Sequence, residues 1–85
     1  MSTEPNLNDA NLSRVNLNRA DLQHAILNAT NLSSAELCYA LLGGADLSGA
    51  ILSGANLTYA NLEQTNLKGA NLSGAILTHA LLEHT

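Results

Sequence analysis

Leucine recurs at every fifth position from Leu7 to Leu82, sixteen times in succession and without a gap. Two residues before each leucine stands a small residue, mostly alanine, as at Ala10, Ala20, Ala25 and Ala35. An internal repeat this strict constrains the architecture before any other signal. A period of five fits neither common element. On an α-helix, five residues advance about 500°, which sets successive leucines roughly 140° apart and buries no single face. On a strand, side chains alternate with period two, so an odd step throws successive leucines to opposite faces. Gly, Asn, Asp and Ser fill the positions between, and these are turn formers. A backbone that turns a corner every five residues accommodates all of this. Each unit then forms one short side of a closed coil. Its leucine and the preceding small residue point inward, and the other three residues point out.

The units read A-[DN]-L-x-x, as in Ala20-Asp21-Leu22, Ala45-Asp46-Leu47, Ala55-Asn56-Leu57, Ala60-Asn61-Leu62 and Ala70-Asn71-Leu72. Over residues 5–84 this pattern resembles the pentapeptide repeat family. The resemblance implies an all-β fold, a right-handed quadrilateral β-helix with four units per coil. Sixteen units then make four coils, preceded by a leader over residues 1–4.

Eighty-five residues amount to one domain. A chain this short struggles to bury a globular core, whereas a solenoid stacks like layers instead. The near absence of aromatics fits a narrow lumen with room for Leu and Ala. The small position departs from alanine at Pro5, Val15, Thr30 and Thr65. Val15 is expected to crowd its corner, and a buried Thr hydroxyl needs a partner. The net charge of −4 argues against a basic surface for nucleic acid. The polar start, Met1 to Asn6, lacks the apolar segment of a signal peptide, and no apolar run is long enough to span a membrane. The single cysteine, Cys38, excludes an intramolecular disulfide. These features predict a cytoplasmic protein with no direct nucleic-acid or membrane contact.

Coils stack about 4.8 Å apart, so residues twenty apart should lie above one another. This register sorts the surface into columns. Arg19, Tyr39, Tyr59 and His79 form one. It brings the only two aromatics of the Phe/Trp/Tyr set together, with Arg19 and His79 capping the stack at either end, where cation–π contact is possible. Tyr and Arg are enriched at binding hot spots, so this column is the candidate partner contact, weighed against a merely stabilising surface ladder. Ser13, Ser33, Ser53 and Ser73 form a second column. It reads as a hydroxyl ladder that could serve as a flat binding strip, or, preferably, as turn chemistry. Asn or Asp precedes ten of the leucines, and these short side chains are expected to bond nearby backbone. Where they fail, Ile26, Glu36, Leu41, Ile51, Ile76 and Leu81 replace them. The apolar ones should point outward, scattered over the faces.

The last coil carries Ile76, Leu77, Leu81 and Leu82, with only Lys68 and Glu83 charged. A solenoid without a polar cap exposes its last core layer and unpaired backbone. These four residues are therefore the candidate self-association end, covered by another copy as a homodimer or longer stack, or by a fused or missing segment.

Chemistry is sparse. His79, His84 and Glu83 cluster in sequence, but their spacing is unlike that of structural zinc ligands, so no metal is expected. Cys38 reads as a surface thiol rather than a nucleophile. No Gly-rich phosphate loop is present, and a filled core leaves no ligand pocket. The expectation is a chain with no catalytic residues and no cofactor: a non-enzymatic structural or protein-interaction module. Two alternatives accompany it. One is a fragment of a larger solenoid of the same repeat. The other comes from the resemblance, since some pentapeptide repeat proteins resemble duplex DNA in size, shape and charge and bind DNA gyrase. This chain departs from that pattern in its shortness, in lacking a recognisable C-terminal dimerisation helix, and in its sparse acids (Glu4, Asp9, Asp21, Glu36, Asp46, Glu63, Glu83).

Overall fold

A computed structural model describes residues 6–85. The leader expected over residues 1–4 and the departure at Pro5 lie outside the described residues. Parallel bridges join each residue that precedes a leucine to the one twenty positions on, from Asn6 with Ile26 to Asn61 with Leu81. One circuit of the tube therefore takes four units. Residues 6–10, 26–30, 46–50 and 66–70 form the first side, and each following unit advances the chain to the next side. The β character takes the form of isolated bridges rather than extended strands. The reason is local: a two-residue turn follows every leucine, so the straight stretch is too short for a ladder.

The unit is self-consistent in its hydrogen bonds, as residues 31–35 illustrate. The Asn31 N–H donates to the carbonyl of Ala10 in the layer before, at 2.9 Å. Leu32 and Ser34 donate to Ile51 and Ser53 in the layer after, at 2.7 and 2.8 Å. Ala35 donates back to Leu32 at 3.0 Å and closes the turn. The remaining N–H, on Ser33, donates to the side-chain Oδ1 of Asn31 at 3.0 Å. All five donors are thus satisfied, which is the condition for a backbone to leave water.

The same Asx contact occurs at all ten Asn and Asp residues that precede a leucine, at 3.0–3.2 Å. At Asp46 the acceptor is charged. The Ser48 hydroxyl, at 2.6 Å, and the Ser48 N–H, at 3.0 Å, stabilise the carboxylate and hold its pKa below the ordinary 3.8. Glu36 is too long for the role, and the Cys38 N–H turns instead to Asn18 Oδ1 in the neighbouring layer, at 2.9 Å.

The leucines fill the tube. Every one from Leu27 to Leu62 is at most 1% exposed, and the alanines from Ala25 to Ala60 line the corners between them. Burial of each leucine contributes about 1.5–3 kcal/mol. Thr30 and Thr65 take alanine positions and are fully buried. Their hydroxyls find carbonyls, Leu27 at 2.8 Å and Leu42 at 2.7 Å. At Val15 the turn bond is 3.3 Å, against 3.0 Å at Ala10 and Ala20. Both ends of the described tube have a thinner core. Leu7, Leu12 and Leu17 at one end, and Leu67, Leu72 and Leu77 at the other, are only partly buried.

Candidate functional site

The turn chemistry places the candidate column. In each turn the second residue after the leucine has φ between 58° and 72°, at all sixteen turns. This left-handed value at the third turn position, with the closing bond, is the signature of a type II turn. Glycine fills five of these positions, and ordinary L-residues, Tyr39 and Tyr59 among them, fill eleven. Such a residue costs about 1–2 kcal/mol. The surrounding layers hold it there: the Tyr39 N–H donates to Thr58 and the Tyr59 N–H to Thr78, both at 2.9 Å. The left-handed corner turns the side chain outward, and Tyr39 and Tyr59 are 46% and 49% exposed.

The four column residues meet. Tyr39 and Tyr59 stack with ring centroids 5.0 Å apart and planes inclined by 8°. His79 continues the stack on Tyr59 at 4.8 Å and 21°. The Arg19 guanidinium carbon sits 4.7 Å from the centre of the Tyr39 ring. Ring spacing thus follows the rise between layers. Each aromatic pair contributes about 0.5–1.5 kcal/mol beyond area burial, and an exposed cation–π contact about 0.5–1 kcal/mol. The result is a stiff ridge along the corner between the third and fourth sides.

The serine column behaves differently from a ladder. The Ser13 and Ser33 hydroxyls donate to Asn11 and Asn31 Oδ1 of their own units, at 2.9 and 2.7 Å. At these two positions the hydroxyl serves the turn of its own unit. Of the proposed end cluster, Ile76, Leu81 and Leu82 are exposed and Leu77 is partly buried. Leu41 and Ile51 are exposed as well, whereas Ile26 is half-buried. Cys38 is half-buried beside the ridge. His79 is engaged on Tyr59. Among the described residues no group of three His, Cys, Asp or Glu side chains is placed to hold a metal, and no pocket opens.

One feature of the ridge escapes a reading by columns alone: the left-handed backbone that presents it. Its signal is present in sequence, because Gly44, Gly49, Gly54, Gly69 and Gly74 occupy the same slot in other units.

Three solved structures share this architecture. The pentapeptide repeat protein Rfr23 from the cyanobacterium Cyanothece 51142 is 36% identical, with a TM-score of 0.69 over 89% of this chain and 56% of its own. A pentapeptide repeat protein from the Arabidopsis thaliana thylakoid lumen is 32% identical, with a TM-score of 0.67 over 94% of this chain and 59% of its own. A pentapeptide repeat protein from Nostoc Pcc 7120 is 38% identical, with a TM-score of 0.54 over 85% of this chain and 64% of its own. This chain therefore spans less than two thirds of the length of each. No curated protein matches its sequence. Proteins of this repeat form right-handed quadrilateral β-helices and are generally non-enzymatic. The pentapeptide repeat profile matches eight copies, over residues 3–33, 16–54, 30–69 and 45–83. With the twenty-residue register and the filled leucine lumen, these matches make the chain a member of the pentapeptide repeat family.

Proposed function

We propose that the chain forms four turns of quadrilateral β-helix and works as a non-enzymatic protein-interaction module, with Arg19, Tyr39, Tyr59 and His79 as its contact ridge. The twelve bridges at a constant offset of twenty support the four turns. The continuous stack from Arg19 to His79 carries the interaction reading. Exposed aromatics on a rigid backbone bury large area at small entropic cost when a partner covers them. A paired pull-down from the native host tests this. A Tyr39→Ser/Tyr59→Ser variant should lose a protein that the unaltered chain recovers, with little change in melting temperature. Equal recovery by both chains would refute the contact role.

A second reading concerns the layer that holds Leu77 and Leu82. Leu82 is 43% exposed although its position points into the tube. That layer is suited to receive another, either from a longer solenoid or from a second copy. Sedimentation of the chain distinguishes these, since only self-association depends on its concentration. Gyrase binding has less support. The described acids leave the second side bare and do not line the tube as phosphates line a duplex. A supercoiling assay with the purified chain decides it: salt-sensitive inhibition would support the mimic.

A further inference from the structure

We infer that the ridge and the fourth side together form one docking surface for a positively charged, apolar polypeptide segment. This rests on the interaction reading above and adds the chemistry of the partner.

Seven large hydrophobic side chains are exposed among the described residues: Tyr39, Leu41, Ile51, Tyr59, Ile76, Leu81 and Leu82. Four of them fall along one corner and the side it opens. Tyr39 and Tyr59 stand on the corner, and Leu41 and Leu81 begin the adjoining side, each two residues past its corner position. Asn61 separates the leucines, and the tyrosine stack runs beside the gap. Ile51 and Ile76 stand singly on the second and third sides, and isolated exposed residues need no partner. A grouped apolar surface rimmed by polar residues is the kind that marks an interaction site.

The rim specifies the sign of that partner. The fourth side carries Asp21, Glu63 and Glu83 and no Lys or Arg. These are half of the six acids among the described residues. Arg19, stacked on Tyr39 at the corner, keeps its charge, so the three acids leave the ridge and fourth side at −2 with histidine neutral. Glu63 and Glu83 occupy equivalent positions in successive layers, joined by the bond from Gln64 N–H to the Glu83 carbonyl at 3.1 Å. Like charges in cross-strand register repel. A partner's Lys or Arg relieves that repulsion, whereas a nucleic acid or an anionic membrane aggravates it. A second copy of this chain, at net charge −4, would set acid against acid. Gly43 presents no side chain between Leu41 and Glu63, and a Cβ there would meet only the Glu63 carbonyl, at 3.8 Å.

The chain reports on this surface by itself, because Tyr39 and Tyr59 are its only tyrosines and it has no tryptophan. The probe is a peptide of alternating leucine and lysine, titrated into the full chain while tyrosine emission is followed. Oligolysine of equal charge and a leucine–glutamate peptide serve as controls. The leucine–lysine peptide should bind saturably and the leucine–glutamate peptide should not. Glu63→Gln/Glu83→Gln should weaken binding about tenfold, as two exposed ion pairs predict. Leu41→Ser should weaken it further, while Asp9→Asn on the first side should not. No saturable response, equal binding of oligolysine, or indifference to Glu63 and Glu83 would overturn the inference. The pull-down separates its failure from that of the ridge. A native partner lost with the tyrosine variant but kept by the glutamate variant leaves the ridge standing and removes the basic partner. A partner kept by both variants removes the two together.

Discussion

The Nδ1–Cε1 edge of the His24 imidazole sits against Gly44 in the next layer, so close that a Cβ on that glycine would fall 2.5 Å from Nδ1. Gly49, on the next corner, has nothing within 4 Å of its missing Cβ. Both have φ near +70°. The pair therefore separates two costs. Gly49→Ala should lose only the left-handed penalty, about 1 kcal/mol. Gly44→Ala should lose more, because the His24 ring must also move. In a His24→Ala background the two substitutions should cost the same. Urea midpoints of the unaltered and His24→Ala chains, each with and without either glycine substitution, measure this.

The left-handed corner also predicts a gain. Ala29 is exposed at φ 61°, and Gly49 and Gly69 hold the same place in the following layers. Ala29→Gly should stabilise the chain by up to about 1 kcal/mol, contrary to the usual effect of adding glycine. Calorimetry should show the melting temperature rise.

Position along the tube grades the leucines. Leu52→Ala removes a side chain with no exposure from the middle of the stack and should cost about 2–5 kcal/mol. Leu82→Ala, at 43% exposure, should cost well under half of that. Equal losses in denaturant titrations would contradict a core that thins towards its ends.

Asp46 adds a pH dependence of known sign. Its folded-state pKa lies below the ordinary 3.8, chiefly through the Ser48 hydroxyl and then the Ser48 N–H. Its contribution to stability is therefore complete above that value and disappears as pH falls through the lowered one. Asp46→Asn keeps the Oδ1 acceptor but cannot titrate. The difference in stability between the two chains should stay constant from pH 7 down to about pH 5 and shift against the unaltered chain below about pH 4. Denaturation midpoints at pH 6 and pH 3 check it.

The leucine period alone required a corner every five residues, and the chain turns there because each unit closes its own donors. Asn31 shows why the residue before the leucine was readable: a short acceptor in that place meets the N–H two residues on. The contact between Tyr39 and Tyr59 was readable from the register of twenty, which multiplies each residue into a column. The preferred reading of the serine column as turn chemistry holds at Ser33, whose hydroxyl bonds Asn31 of its own unit. Two things were not readable. The placement of His24 against Gly44 depends on a rotamer that periodicity does not encode. Thr65 reaches Leu42 whereas Thr30 bonds Leu27 within its own turn, a choice between two carbonyls that composition leaves open.

The offset of twenty between paired residues governs how such a chain can change in length. Gain or loss of a whole circuit leaves every later side chain above its former neighbours, and the line through Tyr39 and Tyr59 grows or shrinks intact. Gain or loss of a single unit keeps the lumen filled but rotates everything downstream by a quarter turn. Placed between the two tyrosines, it would leave the molecule folded and its surface pattern cut in two.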